Sequence, residues 1–353
     1  MTEPAIVTRR TALGRLAGAA GLASAMPGLR GGALAAPSGQ IVVGTWGGDY
    51  QNLQQAHIAD ALMRPMGVQV VFDTGNDTVR KTKLMAERRL PRGSLDLAAL
   101  TASGSYEMWK NGALEEIDEN KVPNLRHVLQ ELKTKYSAPH IYTGRVILYN
   151  PKLVRTPPTS YADLWAPENA GKVGVIDIQY QTTIESAALV NGGSLGDYEP
   201  GKAKLLELKN AGVKIYPTNE AMAQALKTEE VGLCIMWRAR GVQWRNAGVP
   251  VEIVYPKEGV VLYVSELAVP KNARNKEAAY AYLNALLDLR PQAAFARSFG
   301  YTPTVTNATV DPDVAPQVEF TPELRSRFMV QDQEYLAKND AQLQEWWNKV
   351  FKA

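Results

Sequence analysis

The segment from residue 232 to residue 287 constrains the fold of this chain most strongly, because strand and helix patterns alternate along it. GLCIMW (232–237) is a short apolar run that ends in an aromatic residue, which is typical of a buried strand. ARGVQWRNAG (239–248) predicts a short helix that a glycine closes. The segment ends with two more predicted strands and an amphipathic helix, at VPVEIVYP (249–256), EGVVLYVSELAVP (258–270) and NKEAAYAYLNALLD (275–288).

The region from residue 40 to residue 112 shows the same alternation. Apolar runs predict strands at 40–46, 68–72 and 95–100, and a helix pattern follows each of them. Strands that alternate with helices are typical of a mainly parallel sheet with helices on its faces. We therefore predict an α/β fold.

Length and charge limit the classes of protein that this chain can belong to. A chain of 353 residues is long for a single core, which indicates two lobes. The formal net charge is +3, but the first 36 residues hold four arginines against one glutamate. The remainder therefore carries equal numbers of basic and acidic residues. Without an overall basic field, nucleic acid is not an expected partner.

The first 36 residues have the pattern of an export signal and not of a folded segment. TRRTAL (8–13) resembles a twin-arginine signal, and a Gly/Ala-rich stretch follows it. ALA (33–35) fits the small-residue rule for signal cleavage. No later stretch is apolar enough to span a bilayer, which takes about 20 residues. We expect a free periplasmic protein of a Gram-negative bacterium.

Signals of catalysis, of metal binding and of cofactor binding are poor. Cys234 is the single cysteine and lies in an apolar run, so we expect it to be buried core. GGSLG (192–196) satisfies the nucleophile pattern G-x-S-x-G, but a helix pattern precedes it where a strand is required. The three histidines lack metal-ligand spacing, and no phosphate-binding loop for ATP occurs. We predict no enzyme activity, no metal and no cofactor.

The order of these motifs resembles the spermidine/putrescine-type periplasmic solute-binding proteins of ABC importers. AGVPVEIVYPKEG (247–259) and LAVPKNARNKEAA (267–279) carry the resemblance, and DLW (163–165) and GK (171–172) match the family's linker between lobes. The resemblance implies a two-lobed α/β periplasmic binding protein of type II, with a mainly parallel sheet in each lobe and two hinge crossings. It also implies a monomer that binds a small molecule and delivers it to a membrane permease and its ATPase.

The resemblance further predicts where the lobes begin and end. The expected divisions are an export signal at 1–36, a first lobe at 37–143 plus 266–308, a second lobe at 144–265, and C-terminal helices at 309–353 that pack on the lobes.

Aromatic residues end several predicted strands and are candidates for the walls of a cleft between the lobes: Trp46, Tyr142, Trp237 and Tyr263. Packing in the core is the common alternative for such residues. The resemblance favours the cleft for Trp46, Trp237 and Tyr263. Aromatic faces bind an aliphatic ammonium through cation–π contacts, or the apolar body of a ligand.

Two short polar stretches are further candidates for ligand binding. Gly47, Gly48 and Asp49 follow the first strand at a predicted helix start, where free backbone N–H groups suit a carboxylate or phosphate. The alternative there is a tight turn that needs small residues. Thr101 and Ser103 end the third strand, where their hydroxyls could hold a ligand oxygen or cap the following helix.

Charged side chains decide the class of ligand. In the polyamine binders, acidic side chains pair with the amines of the ligand. One such position holds the neutral Ser265 in this chain, and another holds Asp177. The acid that usually follows Asp177 falls in a stretch that contains the neutral Gln181, so at least one partner for an ammonium group is missing. Arg238 and Arg145 could instead hold a carboxylate with their planar guanidinium forks, and the alternative for both is that they face solvent or form structural ion pairs. We therefore predict that the ligand is a small carboxylate or zwitterion.

Several alternatives stay open. A polyamine carrier is the first. A ferric-iron carrier of the same architecture is disfavoured, because no adjacent pair of tyrosines occurs at a cleft position. A periplasmic enzyme on the same fold would need a nucleophile and a base that the sequence does not offer together.

Overall fold

A computed structural model describes residues 38–353 of the chain, so the predicted export signal lies outside the described residues. The strands are β1 (Gly39–Thr45), β2 (Val68–Thr74), β3 (Leu97–Thr101), β4 (Ala138–Tyr149), β5 (Gly174–Ile176), β6 (Lys214–Tyr216), β7 (Leu233–Trp237), β8 (Glu252–Val254), β9 (Val260–Ala268), β10 (Thr302–Pro303) and β11 (Phe328–Met329). The helices are α1 (Gly48–Gln54), α2 (Asp77–Glu87), α3 (Ala102–Lys110), α4 (Tyr180–Leu189), α5 (Glu199–Asn210), α6 (Asn219–Lys227), α7 (Arg238–Asn246), α8 (Lys276–Leu286), α9 (Leu289–Phe299), α10 (Ala315–Val318), α11 (Pro322–Arg325) and α12 (Gln333–Trp346).

Strand β4 connects the two halves of the molecule. All 12 of its residues are buried. Its first part, from Ala138 to Gly144, pairs antiparallel with β9, and its last part, from Arg145 to Tyr149, pairs antiparallel with β7. β4 therefore changes its main partner between Gly144 and Arg145, and one continuous strand belongs to both lobes.

Each lobe combines parallel and antiparallel strand pairs. In the first lobe the strand order is β10-β4-β9-β3-β1-β2, and β1 is parallel to both β2 and β3. In the second lobe β5 and β6 are parallel, and a parallel bridge from Val173 to Leu233 links them to β7. Each antiparallel pair of the named strands involves β4 or β9, and these two strands run in opposite directions alongside one another.

The two lobes have separate apolar cores. Ile41 of β1 and Tyr142 of β4 belong to the first core, and Ile147 of β4 and Ile184 of α4 belong to the second. Cys234 is fully buried in a further cluster of the second lobe, as its apolar run predicted, and burial raises the pKa of its thiol.

The C-terminal segment packs on the rest of the chain. Helix α12 contacts both α3 and α4. Trp347, which directly follows α12, is buried in the core of the second lobe. The short strand β11 pairs with β9, a contact that the sequence pattern did not predict. No helix within residues 38–353 is long and apolar enough to cross a membrane.

Helix starts follow ordinary capping rules. Thr101 caps α3 through a hydrogen bond from the backbone N–H of Gly104 to its hydroxyl, over 3.1 Å. Asn76 caps α2 in the same way through the N–H of Val79. Helix α1 begins at Gly48 and continues directly into a π-helical segment, Gln55–Met63. The two caps fix the helix starts that follow β2 and β3, whereas α1, which follows β1, has Gly47 at its N-cap and no side-chain cap.

Replacement of Gly144 should test the importance of the partner change in β4. A Cβ atom at this position would overlap Cγ1 of Val260 and lie 3.3 Å from two ring carbons of Phe320. We expect Gly144→Ala to lower the free energy of unfolding by about 1–3 kcal/mol, because overpacking forces the strands apart. Urea unfolding measures this change.

Gly75→Ala is a matched control, since a Cβ there meets Val79 at an ordinary distance of 3.7 Å. If the two variants unfold at the same urea concentration, the close approach at Gly144 does not limit the packing of β4.

Candidate functional site

A cavity of about 620 Å³ lies where β1, β3 and β7 end and where α2, α3, α4 and α7 begin. Residues of α12 and of the segment after it complete its wall. A cavity of this size accepts a small organic molecule. Its walls come from both lobes, because helices of the first lobe and of the second lobe contribute to it.

Three of the four predicted aromatic residues line this cavity: Trp46, Trp237 and Tyr263. The rings of Trp237 and Tyr263 are stacked, with 4.2 Å between their centroids. The fourth, Tyr142, is fully buried and stacks on Phe320 in the core of the first lobe. The core alternative therefore holds for Tyr142, because its side chain points from β4 into the sheet packing and not into the cavity.

Ser265 supports the cavity wall from behind and does not line it. Its hydroxyl accepts a hydrogen bond from Nε1 of Trp46, over 3.1 Å. The guanidinium of Arg80 lies 4.1 Å from the centroid of the Trp46 ring. Arg80 is itself held by the carbonyl oxygens of Thr45 and Ala99. Ser265 and Arg80 thus fix the orientation of the Trp46 ring.

The Gly47-Gly48-Asp49 stretch is a tight turn and not part of the cavity wall. Gly47 and Gly48 have φ angles of 81° and 54°, which favour glycine. A Cβ at Gly47 would lie only 2.5 Å from the side chain of Thr74, so the turn packs closely on β2. Asp49 is exposed and contacts Asn52. The structure corrects the predicted anion site here, since none of these three residues lines the cavity.

Thr101 and Ser103 do line the cavity, and Thr101 also caps its helix. The two hydroxyls lie 3.2 Å apart. Thr101 binds Asp77 through its backbone N–H, over 3.0 Å. Thr101 therefore both faces the cavity and caps α3, and its hydroxyl has little freedom to turn toward a ligand.

Arg238 does not line the cavity. It is buried, and its guanidinium donates hydrogen bonds to the carbonyl oxygens of Val318 and Glu319 and to the hydroxyl of Thr302. It also lies 4.0 Å from the ring centroid of Phe320. This arginine anchors the chain around residue 318 to α7. The structure corrects its predicted role as an anion clamp, because both terminal nitrogens of its guanidinium donate to groups within the protein.

Arg145 lines the cavity but already has a counter-charge. Its guanidinium forms an ion pair with the carboxylate of Glu185, which is fully buried. Tyr198 and Gln331 also donate hydrogen bonds to this carboxylate. The positive charge of Arg145 is therefore compensated in the unliganded protein, and Arg145 offers no free clamp for an acidic ligand.

Asp177 and Gln181 line the cavity and are also bound to neighbouring side chains. The carboxylate of Asp177 accepts hydrogen bonds from Nε1 of Trp347, over 2.7 Å, and from Nζ of Lys352, over 2.8 Å. Burial alone would raise the pKa of Asp177, but these two hydrogen bonds lower it. Asp177 therefore carries a charge that Lys352 already compensates.

Two carboxylates that the sequence analysis missed lie on the cavity wall, Asp77 and Asp340. Burial raises the pKa of Asp77, and Lys81 lies 3.8 Å from it but binds Glu107 more closely, at 2.7 Å. Asp340 accepts hydrogen bonds from Tyr180 and Gln181. Over residues 38–353, no basic side chain lies within 4.0 Å of the Asp340 carboxylate.

Arg240 is a third cavity residue that the sequence analysis missed. Its Nη1 donates to the side chain of Gln243, over 3.1 Å. Among the described residues, no carboxylate lies within 4.0 Å of this guanidinium. The rule that ligands bind at strand ends could have found Asp77, which follows β2, and Arg240, which lies one turn beyond β7. No local signal marks Asp340, because long-range packing of α12 brings it to the cavity.

A buried histidine supports the wall at Tyr50. The Tyr50 hydroxyl lies 2.7 Å from Nδ1 of His140, and Tyr50 lines the cavity. Burial lowers the pKa of His140 to about 3, so its imidazole is neutral at neutral pH. The rings of Tyr50 and Phe295 pack edge to face on one another, which holds the phenol in place.

Residues 57–322 of the chain match the family model of bacterial extracellular solute-binding proteins. The spermidine/putrescine-binding periplasmic protein of Salmonella typhimurium is 28% identical over 314 residues, which cover 83% of this chain and 87% of that protein. The match confirms the resemblance that the motifs predicted.

Solved structures of similar proteins show the same fold. An ABC transporter protein from Clostridium perfringens aligns with a TM-score of 0.76 and 22% identity, over 88% of this chain and 99% of that one. The Atu4243–GABA receptor aligns with a TM-score of 0.78 and 22% identity, over 89% of this chain and 98% of that one. These likenesses confirm the predicted two-lobed α/β fold.

Removal of the charge of Arg145 should destabilise the protein strongly. Arg145→Gln leaves the fully buried Glu185 without its counter-charge. We expect the free energy of unfolding to fall by about 3–5 kcal/mol, as for other broken buried pairs. The double variant Arg145→Gln/Glu185→Gln should recover part of this loss, because no unpaired charge is then buried.

The control is Lys152→Gln, which breaks an exposed ion pair with Glu229 and should change the stability by less than about 1 kcal/mol. Urea unfolding compares all three variants. A loss below about 1 kcal/mol for Arg145→Gln would show that Glu185 does not depend on Arg145.

His140 should make stability depend on pH. The unfolded chain binds a proton at this histidine below its ordinary pKa of 6.5, whereas the folded protein does so only near a pKa of about 3. The folded state is therefore favoured fully above pH 6.5 and loses up to about 1.4 kcal/mol per pH unit as the pH falls below it. His140→Gln should remove this part of the slope between pH 6.5 and pH 5.

Urea unfolding at several pH values measures the slope for both proteins. An equal slope in the wild type and in His140→Gln, or an imidazole of His140 that titrates in the folded state between pH 5 and pH 7 by NMR, would contradict the assignment.

Proposed function

Because this chain belongs to the family of bacterial extracellular solute-binding proteins, we propose that it captures a small organic amine in the periplasm for an ABC importer. The amine binds in the cavity between the lobes. Lobe closure then presents the loaded protein to a membrane permease, whose ATPase drives uptake. The protein acts as a binding protein and not as an enzyme.

The observation that carries this proposal is the carboxylate of Asp340, which faces the cavity without a cationic partner among residues 38–353. A partly buried carboxylate is stabilised by a cation that donates hydrogen bonds to it. An ammonium group supplies both the charge and the donors. Tyr180 and Gln181 hold the Asp340 carboxylate in place, so it is oriented before the ligand arrives.

The charge balance of the cavity supports the same class of ligand. Arg145 is compensated by Glu185, and Asp177 is compensated by Lys352. Lys81 is shared between Asp77 and Glu107, which leaves one negative charge in that group. Among the described residues that line the cavity themselves, the carboxylates of Asp77, Asp177 and Asp340 outnumber the guanidinium groups of Arg145 and Arg240, while Arg80 lies behind the wall at Trp46.

The aromatic wall supports the binding of an aliphatic ammonium. The stacked pair of Trp237 and Tyr263 offers ring faces, and Trp46 is fixed in orientation by Ser265 and Arg80. Ring faces attract ammonium groups and pack against methylene chains. The related proteins are named for spermidine and putrescine, which are aliphatic amines.

The proposal of an amine revises the ligand class favoured on sequence grounds. The prediction of a plain carboxylate depended on Arg238 and Arg145, and both are occupied by partners within the protein. A polyamine is therefore supported better than a plain carboxylate. A zwitterion also brings an ammonium group to Asp340, but its carboxylate needs an arginine other than Arg145 and Arg238.

Closure of the lobes is proposed to occur about β4, which runs from one lobe into the other, and about the segment that leads from β8 to β9. The predicted boundary at 143/144 lies within β4, whereas the one at 265/266 lies within β9, where Val260 and Leu262 already belong to the first core. Export by the twin-arginine route and a monomeric state are proposed on the sequence grounds given above. Replacement of Arg9 and Arg10 by lysine tests the export route, and gel filtration tests the monomeric state.

The direct test of the proposed function is the thermal stability of ligand-stripped protein with putrescine, spermidine and dicarboxylates. A ligand that binds only the folded state at a hundred times its Kd stabilises it by about 2.7 kcal/mol. We expect an amine-bearing ligand to raise the Tm and dicarboxylates to have no effect. Asp340→Asn should weaken amine binding by about 1.5–3 kcal/mol, because a charged hydrogen bond is lost.

The matched control is Glu345→Gln on the same helix, where Glu345 pairs with Lys349 at the surface. This variant should bind as the wild type does. Stabilisation by dicarboxylates alone, or equal amine binding by the wild type and Asp340→Asn, would refute the amine site.

A further inference from the structure

Arg240 differs from the other arginines around the cavity in having a single hydrogen-bond partner, which is neutral. Its residue is partly buried, and its Nε is enclosed without an acceptor. Its guanidinium makes one side-chain hydrogen bond, to the neutral amide oxygen of Gln243. A guanidinium with five N–H donors is left incompletely satisfied by a single neutral acceptor. It is therefore ready to accept an anionic partner.

An enclosed nitrogen without an acceptor also occurs in Arg80, Arg145 and Arg238, so Arg240 is set apart by its remaining partner, which is a single neutral amide. Arg80 donates to three carbonyl oxygens, Arg145 pairs with Glu185, and Arg238 donates to the carbonyl oxygens near residue 318. Those three arginines serve the fold. Arg240 lines the cavity and lacks a carboxylate within 4.0 Å across the described part of the chain.

Positive and negative charge come to the cavity from different elements. Arg240 lies on α7 beside the end of α9, where Gln243 donates to the carbonyl oxygen of Phe299 over 2.6 Å. Asp340 lies on α12 and contacts the start of α4, and Asp77 begins α2. A ligand that reaches both groups must carry charges of opposite sign at separate places.

Tyr263 lies within the influence of both charges. Burial raises the pKa of Tyr263 well above its ordinary value, the carboxylate of Asp77 raises it further, and the guanidinium of Arg240 opposes this. Tyr263 is also stacked on Trp237. An apolar ring wall thus lies near the acidic and the basic group alike, which suits a short methylene chain between two charged ends.

We propose that the solute is an aliphatic amino acid whose amine and carboxylate lie at opposite ends of a short chain, with Arg240 holding the carboxylate. Asp340 and Asp77 face the amine. This inference rests on the proposed function, since it keeps the amine site and adds a second one. A diamine is disfavoured because its second ammonium group would meet the uncompensated charge of Arg240.

The test uses molecules of one length that differ in their end groups alone. The four-carbon set is 1,4-diaminobutane, 4-aminobutanoate and butanedioate, and the five-carbon set is 1,5-diaminopentane, 5-aminopentanoate and pentanedioate. Isothermal titration calorimetry gives the Kd of each for the ligand-stripped protein. We expect an amino acid of one set to bind at least about tenfold more tightly than the diamine and the diacid of equal length.

Variants then identify the group that reads the carboxylate. Arg240→Gln should weaken amino-acid binding at least about tenfold and leave diamine binding unchanged or improved, because the repulsive charge is gone. Arg245→Gln on the same helix is the matched control, since Arg245 lies outside the cavity with Glu252 at 3.8 Å. Arg240→Lys should restore part of the amino-acid affinity. The Tm of each unliganded variant checks its folding.

The outcomes separate the two proposals. A diamine that binds more tightly than the amino acid of equal length, or an Arg240→Gln variant that binds the amino acid as the wild type does, overturns the inference and leaves the amine site standing. Binding of the diacids alone overturns both proposals. If neither amino acid binds, the inference is wrong whatever the diamines do. If Arg240→Gln does not fold, the order of affinities in the wild type still decides between the amino acid and the diamine of equal length.

Discussion

The antiparallel pairing of β4 is the constraint on which the rest of this structure depends. Twelve consecutive buried residues give β4 no solvent-facing side, so it must be covered along its whole length. β9 covers its first part and β7 its last part, and the change of partner occurs at Gly144, where a side chain would collide with Val260. Two lobes and a cavity between them follow from this one strand.

The arginines around the cavity show how the fold and the site divide the available charge. Arg80, Arg145 and Arg238 are buried, and each is matched by carbonyl oxygens or by a buried carboxylate. Burial of an arginine is tolerated because acceptors of this kind compensate its charge. Arg240 is left with a single neutral partner on the cavity wall. The proposed charge of the ligand therefore depends on the charged side chains of the cavity wall that have no counter-charge within the protein.

The sequence predicted the order of strands and helices well, because apolar runs and amphipathic spacing are local properties. It also placed Trp46 and Trp237 at strand ends that line the cavity, whereas Tyr263 lines the cavity from within β9 and not from a strand end. It could not decide the direction of Arg238, because the carbonyl oxygens that hold it lie about residue 318. Asp340 was missed for the same reason: α12 reaches the cavity through packing on α3 and α4, which leaves no trace in the local pattern.

The most direct test of this account is a crystal structure of the protein with the tightest-binding amino acid of the calorimetric series. The account predicts that the ligand lies in the cavity lined by Trp237 and Tyr263, with its nitrogen within about 3.2 Å of the carboxylate of Asp340 or Asp77 and its carboxylate on the guanidinium of Arg240. A carboxylate that lies on Arg145 or away from any arginine, or a ligand that lies outside this cavity, would contradict it.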